Sequence, residues 1–423
     1  MILHASRKRL IQNTTALFGA QGVSMLVPLL TFPYLARVLR PEGWAAVLVA
    51  QALGNWLILL LEFGFDLSGT RAVAHARSLP NSLPDVVAGI QGSKLLLVPL
   101  AALILGGVFV ALPTLRDSGT LLLWTLAFAI ARGLNPMWFF QGIERVHWAA
   151  IVETVSKACA ALGVFFLVSG PSDGWIVLAL QAVFAVLSLV VLTVGMARAV
   201  PLVAPTRSGV LSTLRGASRI FGVRAASGLY SQANALILAT LTGAVTVAFF
   251  GGAERIIRAS INLLQPLTQT FLPRVSYLSV TNPRRGIHVI EICLLVIGAV
   301  GAVFGLCAFF GAPLLSRVLL GPGYAPVTPV LRALSPLPLL VAVDTVLGLY
   351  WAVPFGHERA LFRLALIAGV VNVTLALALV PRWGALGMAS AVVAAELTVT
   401  VCLATLYLRH RFEPQSVQDV VLS

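Results

Sequence analysis

The chain has 423 residues, 59% hydrophobic and 10% charged, with a formal net charge of +14 and a mean hydropathy of +0.95. Soluble domains carry about 25% charged residues, so this composition excludes a soluble enzyme or binding module and predicts an all-α polytopic membrane protein. The high pI of about 10.8 is explained by topology, as shown next, and no nucleic-acid partner is expected.

A run of roughly 20 apolar residues spans the hydrocarbon core of a bilayer. The sequence predicts about twelve transmembrane helices, at 14–36, 44–65, 86–112, 120–142, 150–169, 175–197, 221–243, 246–279, 287–312, 328–353, 360–380 and 384–408. An even count puts both termini on one side. With the N-terminus inside, eighteen Lys and Arg residues from Arg7 to Arg411 fall on the cytoplasmic side. The outer loops hold five: Arg37, Arg40, Arg116, Arg317 and Arg382. That asymmetry makes both termini cytoplasmic. The first apolar run is too long for a signal-peptide core and no small-residue cleavage site follows it, so it is expected to stay as the first span.

The longest connector, 198–220, is basic and carries Pro201 and Pro205. It divides the chain into a six-helix bundle at 1–200, a cytoplasmic connector at 201–220 and a second six-helix bundle at 221–423. This is the organisation of a duplicated transporter, two pseudo-symmetric bundles with the site between them.

Polar residues inside spans are costly and tend to mark a pathway. Span one carries Pro28, Pro33, Tyr34 and Arg37. The prolines predict a bendable helix or a fixed kink, and Arg37 either faces a cavity or snorkels to the outer interface. Span two carries Gln51, Asn55, Glu62 and Asp66. At 100° per residue these lie within about 60° of one another, as a cavity-lining stripe or as interhelical hydrogen-bonding groups with a solvated Asp66. Span four places Arg132 near its middle, then Asn135, Pro136, Trp138 and Gln141. Arg132 is read either as a substrate contact or as a structural partner of Glu153 or Glu62. Span eight, expected to break near Pro266, aligns Glu254, Arg258, Asn262 and Gln265 on one face. Glu254 and Arg258 form a favourable i,i+4 pair, which leaves Arg255 as surplus positive charge. Asp344 and Glu396 are lone acids of spans ten and twelve, candidates for a proton or cation site or for pairing with a distant arginine. Gly301 and Gly305 form a GxxxG, expected to serve close helix packing.

Cys159, Cys293, Cys307 and Cys402 are scattered, and the six His residues lie singly. Neither disulfide nor metal centre is expected. There is no GxxxxGK, HExxH or GxSxG motif and no loop large enough for a catalytic domain, so neither an enzyme nor an ATP-driven pump is expected.

The stretch PLLTFPYLARVLRPEGWAAVLVAQAL (28–53), followed by FGFDLSGTRAVA (63–74), resembles the start of bacterial oligosaccharide flippases of the Wzx type. Further stretches fit in the same order: WFFQGIERV (138–146), FFGGAERIIRASINLLQPLTQTFLPRVS (249–276) and LLGPGYAPVTPVLRALSPLPLLVAVDTVLGL (319–349). The resemblance covers nearly the whole chain. It implies the fold of the multidrug/oligosaccharidyl-lipid/polysaccharide exporters. It also implies an inner-membrane flippase for repeat units on an undecaprenyl-diphosphate-type carrier, alongside a polysaccharide polymerase and a chain-length regulator. The related lipid II flippases usually carry two further helices, which this chain has no room for after Arg409. Arg40 departs from the family, where Gly commonly precedes Pro-Glu-Gly, and is read as a solvated turn.

A diphosphate headgroup needs cations that replace its water. The expected substrate contacts are therefore Arg37, Arg132, Arg255 and Arg258 for phosphate, with Gln51, Asn55, Asn135, Asn262 and Gln265 for sugar. Tyr34, Trp56 and Trp138 are stacking candidates, or simply packed. No cofactor is expected; proton or sodium coupling would fall to Glu62, Asp66, Glu254 or Asp344. A cation-coupled drug exporter of the same fold is the main alternative, but it would want net acid in its spans. A membrane polymerase or ligase would want large outer loops.

Overall fold

A computed structural model describes residues 2–77, 82–111 and 119–410; Arg116 and Arg411 of the charge count lie outside them. Every regular element among the described residues is a helix. In hydrocarbon each main-chain N–H and C=O must find its partner within the protein, which a helix does locally.

The chain divides into two compact units, 1–228 and 229–423. The first contains α1 (Ile2–Glu62), α2 (Phe65–Ala76), α3 (Leu83–Ala111), α4 (Gly119–Gly133), α5 (Met137–Gly142), α6 (Val146–Leu167) and α7 (Gly174–Ala199). α8 (Arg207–Thr242) begins in the first unit and ends in the second. The second continues with α9 (Ala244–Asn262), α10 (Gln265–Thr281), α11 (Pro283–Leu315), α12 (Val327–Leu334), α13 (Leu337–Thr345) and α14 (Glu358–His410). Two π-helical turns, Ser316–Leu320 and Val346–Ala352, follow α11 and α13.

Among the described residues the twelve predicted spans lie mostly on helix, with breaks inside spans two, four, eight and ten. Seven helical stretches meet the length and hydropathy needed to cross a bilayer by themselves. Two of these, Leu30–Ala76 and Glu358–Arg409, run 47 and 52 residues, far beyond one crossing at 1.5 Å per residue. Each bends at one residue: Arg40 (φ 57°, ψ 174°) and Gly384 (φ 54°, ψ −127°). Those bends are the predicted breaks between spans one and two and between eleven and twelve. In α1 the non-helical dihedrals fall at Arg40, so the helix carries on through Pro33.

Side chains sort as lipid requires. Phe166 is 82% exposed, and Leu103, Leu295 and Phe310 are nearly as open, the pattern of an apolar surface facing acyl chains. The interior of the first unit packs Phe65, Val73, Ile90, Trp138, Phe139 and Met196 together. That of the second packs Ile290, Ile297, Val346, Tyr350, Trp351 and Tyr407. Glycine sets the closest approaches. A Cβ on Gly301 would stand 2.6 Å from the Pro338 carbonyl oxygen, and one on Gly305 2.6 Å from that of Ser335. The GxxxG of α11 is therefore where the chain around α13 is admitted to backbone contact.

Arg40 is the anomaly. Its dihedrals lie in a region that a Cβ disfavours and that glycine enters freely. The proline that follows excludes the helical alternative, and the side chain is exposed, with no burial to offset the strain. Replacing Arg40 with Gly is expected to stabilise the protein by about 1 kcal/mol, relief of about 1–3 kcal/mol of strain offset partly by the flexibility glycine adds to the unfolded chain. The thermal midpoint of the purified protein in detergent measures this; an equal or lower midpoint would remove the strain.

Candidate functional site

Pro136 breaks the fourth span. A proline offers no N–H, and its ring collides with the carbonyl four residues back. α4 accordingly stops at Gly133 and α5 starts at Met137. Asn135 manages the gap from both ends of its amide. Its Oδ1 accepts from the Met137 N–H at 3.0 Å, and its Nδ2 donates to Glu153 Oε1 at 2.6 Å. Ser188 of α7 donates its hydroxyl to the same carboxylate oxygen at 2.7 Å. Arg132, one residue inside the end of α4, donates Nη1 to Glu153 Oε2 in a short ion pair. Glu153, on α6, is 7% exposed. Three helices thus converge on one carboxylate, the arrangement a buried charge requires. Lys157, one turn further along α6, stands within electrostatic reach of Glu153 and Arg132.

A second break lies beside the first. α1 ends at Glu62, and the chain turns through Phe63 (φ 45°) and Gly64 (φ 77°) into α2. Asp66 therefore starts a new helix and leaves the stripe of Gln51, Asn55 and Glu62. It pairs with Arg224 of α8. Glu62 is within electrostatic reach of Lys94, Asp66, Arg132 and Arg224. Lys94, in α3, is 2% exposed, and its ammonium donates to the carbonyls of Gly133 at 2.8 Å and Asn135 at 3.2 Å. The cluster thus gathers the acids Glu62, Asp66 and Glu153 with the bases Lys94, Arg132, Lys157 and Arg224, one base more than acids.

The remaining candidates of this unit stand apart from the cluster. Gln51 Nε2 lies 3.4 Å from Gln181 Oε1 on α7, and Asn55 is exposed. Arg37 is exposed, just past the end of the predicted first span. Tyr34 donates its hydroxyl to the Val168 carbonyl at 2.7 Å and rests against Phe165, while Trp138 is fully buried in the core. Both are held by packing.

In the second unit, Arg258 donates Nε and Nη2 to Glu254 Oε1 at 2.9 and 2.7 Å, the pair expected from i,i+4 spacing. Arg255 is the next base on α9. The predicted break of span eight occurs at Leu263–Leu264, between α9 and α10, with the exposed Asn262 and Gln265 on either side of it. Asp344 of α13 neighbours Thr400 of α14, whose hydroxyl donates to the Glu396 carbonyl one turn away at 3.0 Å. Asp344 thus approaches this hydroxyl from a second helix, whereas Glu396 meets it through its main chain. Among the described residues no group of three His, Cys, Asp or Glu side chains forms a metal site.

Sequence reasoning passed over Lys94, Lys157 and Ser188. Lys94 had a usable signal, a single cation deep in an apolar run. Ser188 had none, because its importance comes from the Glu153 oxygen it meets.

A family profile described as "Polysaccharide biosynthesis protein" matches residues 10–279. Two curated proteins named "Putative O-antigen transporter" align over nearly their full lengths. The one from Escherichia coli (strain K12) is 28% identical over 404 residues, covering 94% of this chain and 96% of that protein. The one from Shigella dysenteriae is 26% identical over 398 residues, covering 92% and 98%. Among solved structures, the lipid II flippase MurJ in an inward closed conformation superposes with a TM-score of 0.69 at 15% identity, covering 94% of this chain and 87% of that one. An inward-facing multidrug resistance MATE family transporter of the MOP superfamily gives 0.67 at 14% identity, covering 93% and 99%. The fold is that of these membrane exporters.

Removing one partner of a buried ion pair strands the other, at a cost of about 3–5 kcal/mol. Arg132→Ala is therefore expected to lower the unfolding midpoint sharply in detergent, whereas the double change Arg132→Met with Glu153→Met recovers most of the loss. Equal midpoints for Arg132→Ala and the unchanged protein would show that the pair carries no stability.

Proposed function

The chain belongs to the polysaccharide biosynthesis protein family, and on that premise we propose that it is a flippase. It carries polyprenyl-diphosphate-linked oligosaccharide repeat units of the O-antigen or exopolysaccharide kind across the bacterial inner membrane by alternating access. Both termini lie in the cytoplasm on this reading, and a polymerase with its chain-length regulator receives the product outside.

The observation that carries the proposal is the excess of base in the polar clusters of an otherwise apolar chain. The first unit gathers four bases against three acids around the α4–α5 break. On α9 of the second, Arg255 and Arg258 stand with Glu254. A diphosphate headgroup is anionic at neutral pH, and its hydration is replaced best by guanidinium and ammonium donors. Arg37, Arg132, Arg255 and Arg258 are the proposed phosphate contacts. Gln51, Asn55, Asn135, Asn262 and Gln265 are the proposed sugar contacts. A cation-coupled drug exporter shares the fold, but cationic drugs call for excess acid. Glu62, Asp66, Glu254 and Asp344 are the proposed groups for counter-transport of a proton or sodium ion. Export that survives collapse of both ion gradients would refute that role.

Deleting the gene tests the reading directly. Flipping predicts loss of surface polymer with repeat units trapped on the cytoplasmic leaflet. Units that reach the outer leaflet unpolymerised would indicate a polymerase, and normal polymer with altered drug tolerance an exporter. Arg255→Ala and Arg258→Ala are each expected to reduce export by about tenfold or more, the loss of a charge-assisted hydrogen bond, with the protein still in the membrane. Normal surface polysaccharide in both variants would dismiss these two arginines as contacts.

A further inference from the structure

Lys94 is a cation buried where an apolar residue would be simpler. The neighbouring turns of α3 present Leu95, Leu96, Leu100 and Leu103 outward, so the lysine points inward from a helix that otherwise faces lipid. Burying an ammonium is favourable only when its hydrogens are used and its charge is compensated. Both conditions are met here, at a specific place.

In an unbroken helix the Gly133 carbonyl would accept from the N–H of Met137, and the Asn135 carbonyl from that of Phe139. Neither bond forms. Met137 N–H is taken by Asn135 Oδ1 at 3.0 Å, and Phe139 N–H by the Pro136 carbonyl at 3.0 Å. Lys94 Nζ donates to these same two carbonyls, at 2.8 and 3.2 Å. The ammonium thus stands in for two missing main-chain donors, at the end of α4 where the helix dipole is negative. Glu62 and Asp66 supply the compensating charge. The end of α4 is also pressed onto α1, since a Cβ on Gly133 would stand 2.4 Å from Leu61 Cβ, so water has little room to replace the lysine. The segment held this way carries Arg132 and Asn135, two of the three side chains that bond to Glu153.

We propose that Lys94 is a positioning residue: it fixes the α4–α5 break and thereby aligns Arg132 for the anionic headgroup and Asn135 for the sugar, without itself touching substrate. Its role in transport rests on the flippase reading; its role at the break does not.

The test starts from a variant lacking Cys159, Cys293, Cys307 and Cys402, with Leu134→Cys placed in the break. Maleimide labelling of that cysteine in membrane vesicles reports how often the break opens. Lys94→Met is expected to speed labelling about tenfold or more, as the loss of two charge-assisted hydrogen bonds implies, and Lys94→Arg to keep it within about threefold of the parent. Without the Leu134 change, Lys94→Met is expected to lose about nine-tenths of repeat-unit translocation at equal membrane abundance, and Lys94→Arg to restore a third or more. Lys94→Gln, which keeps one donor group, serves if the methionine variant does not accumulate, and should label at an intermediate rate. Unchanged labelling in Lys94→Met or Lys94→Gln would overturn the proposal. So would an arginine variant that keeps the break closed yet transports as poorly as methionine, because the ammonium would then act elsewhere. If the parent itself moves no lipid-linked units, the flippase reading fails, and the labelling still decides the role of Lys94 at the break.

Discussion

Every departure from helix inside hydrocarbon exposes main-chain carbonyls that water cannot reach, and each must be given a donor. Much of this structure follows from how that requirement is met. The fourth span breaks at Pro136, and the freed carbonyls recruit a lysine from α3. An asparagine side chain caps α5 in place of main chain. The eighth span breaks at Leu263–Leu264, and there the last N–H groups fold back in short turns to Ala259 and Ile261. Breaks are thus sites where polar side chains gather in an apolar protein, and on the proposed reading they are where the headgroup finds partners.

The same gathering limits what the arginines are free to do. Arg132 is held by Glu153, Arg224 by Asp66, and Arg258 by Glu254. An anion that binds them competes with a carboxylate already in place. On the proposed reading, binding couples to release of an acid, and an acid released into low dielectric favours taking up a proton or a cation. A network with one base in excess accepts an anion more readily than a balanced one. Its three acids offset all but one of its four bases when nothing is bound, which limits the bare charge held in a membrane interior.

Packing in both units leans on small residues at close approaches. Gly133 and Gly142 admit Leu61 and Val73 in the first unit; Gly301 and Gly305 admit backbone carbonyls in the second. With lipid outside as apolar as leucine inside, burial alone gives helices little reason to associate, and close van der Waals contact supplies it. Arg40 is the counterexample, a large side chain on a backbone better suited to glycine. Its side chain is exposed, and no burial there offsets the strain.

Hydropathy by itself determined the helical class and where the apolar runs lie, because the length of an apolar run is dictated by bilayer thickness. Proline chemistry placed the break near Pro266 and a kink at Pro136, which the structure makes a full break, and i,i+4 spacing paired Glu254 with Arg258, because those effects are local. The turn at Phe63–Gly64 was not legible, so Asp66 seemed to continue a stripe that it leaves; two left-handed residues redirected it. Nor did the sequence disclose that Lys94 meets the carbonyls of Gly133 and Asn135, that Ser188 completes the shell of Glu153, or that Asp344 neighbours Thr400. Those contacts join residues tens of positions apart. Their identities follow from which helix faces which, a choice that packing makes and periodicity along one helix cannot encode.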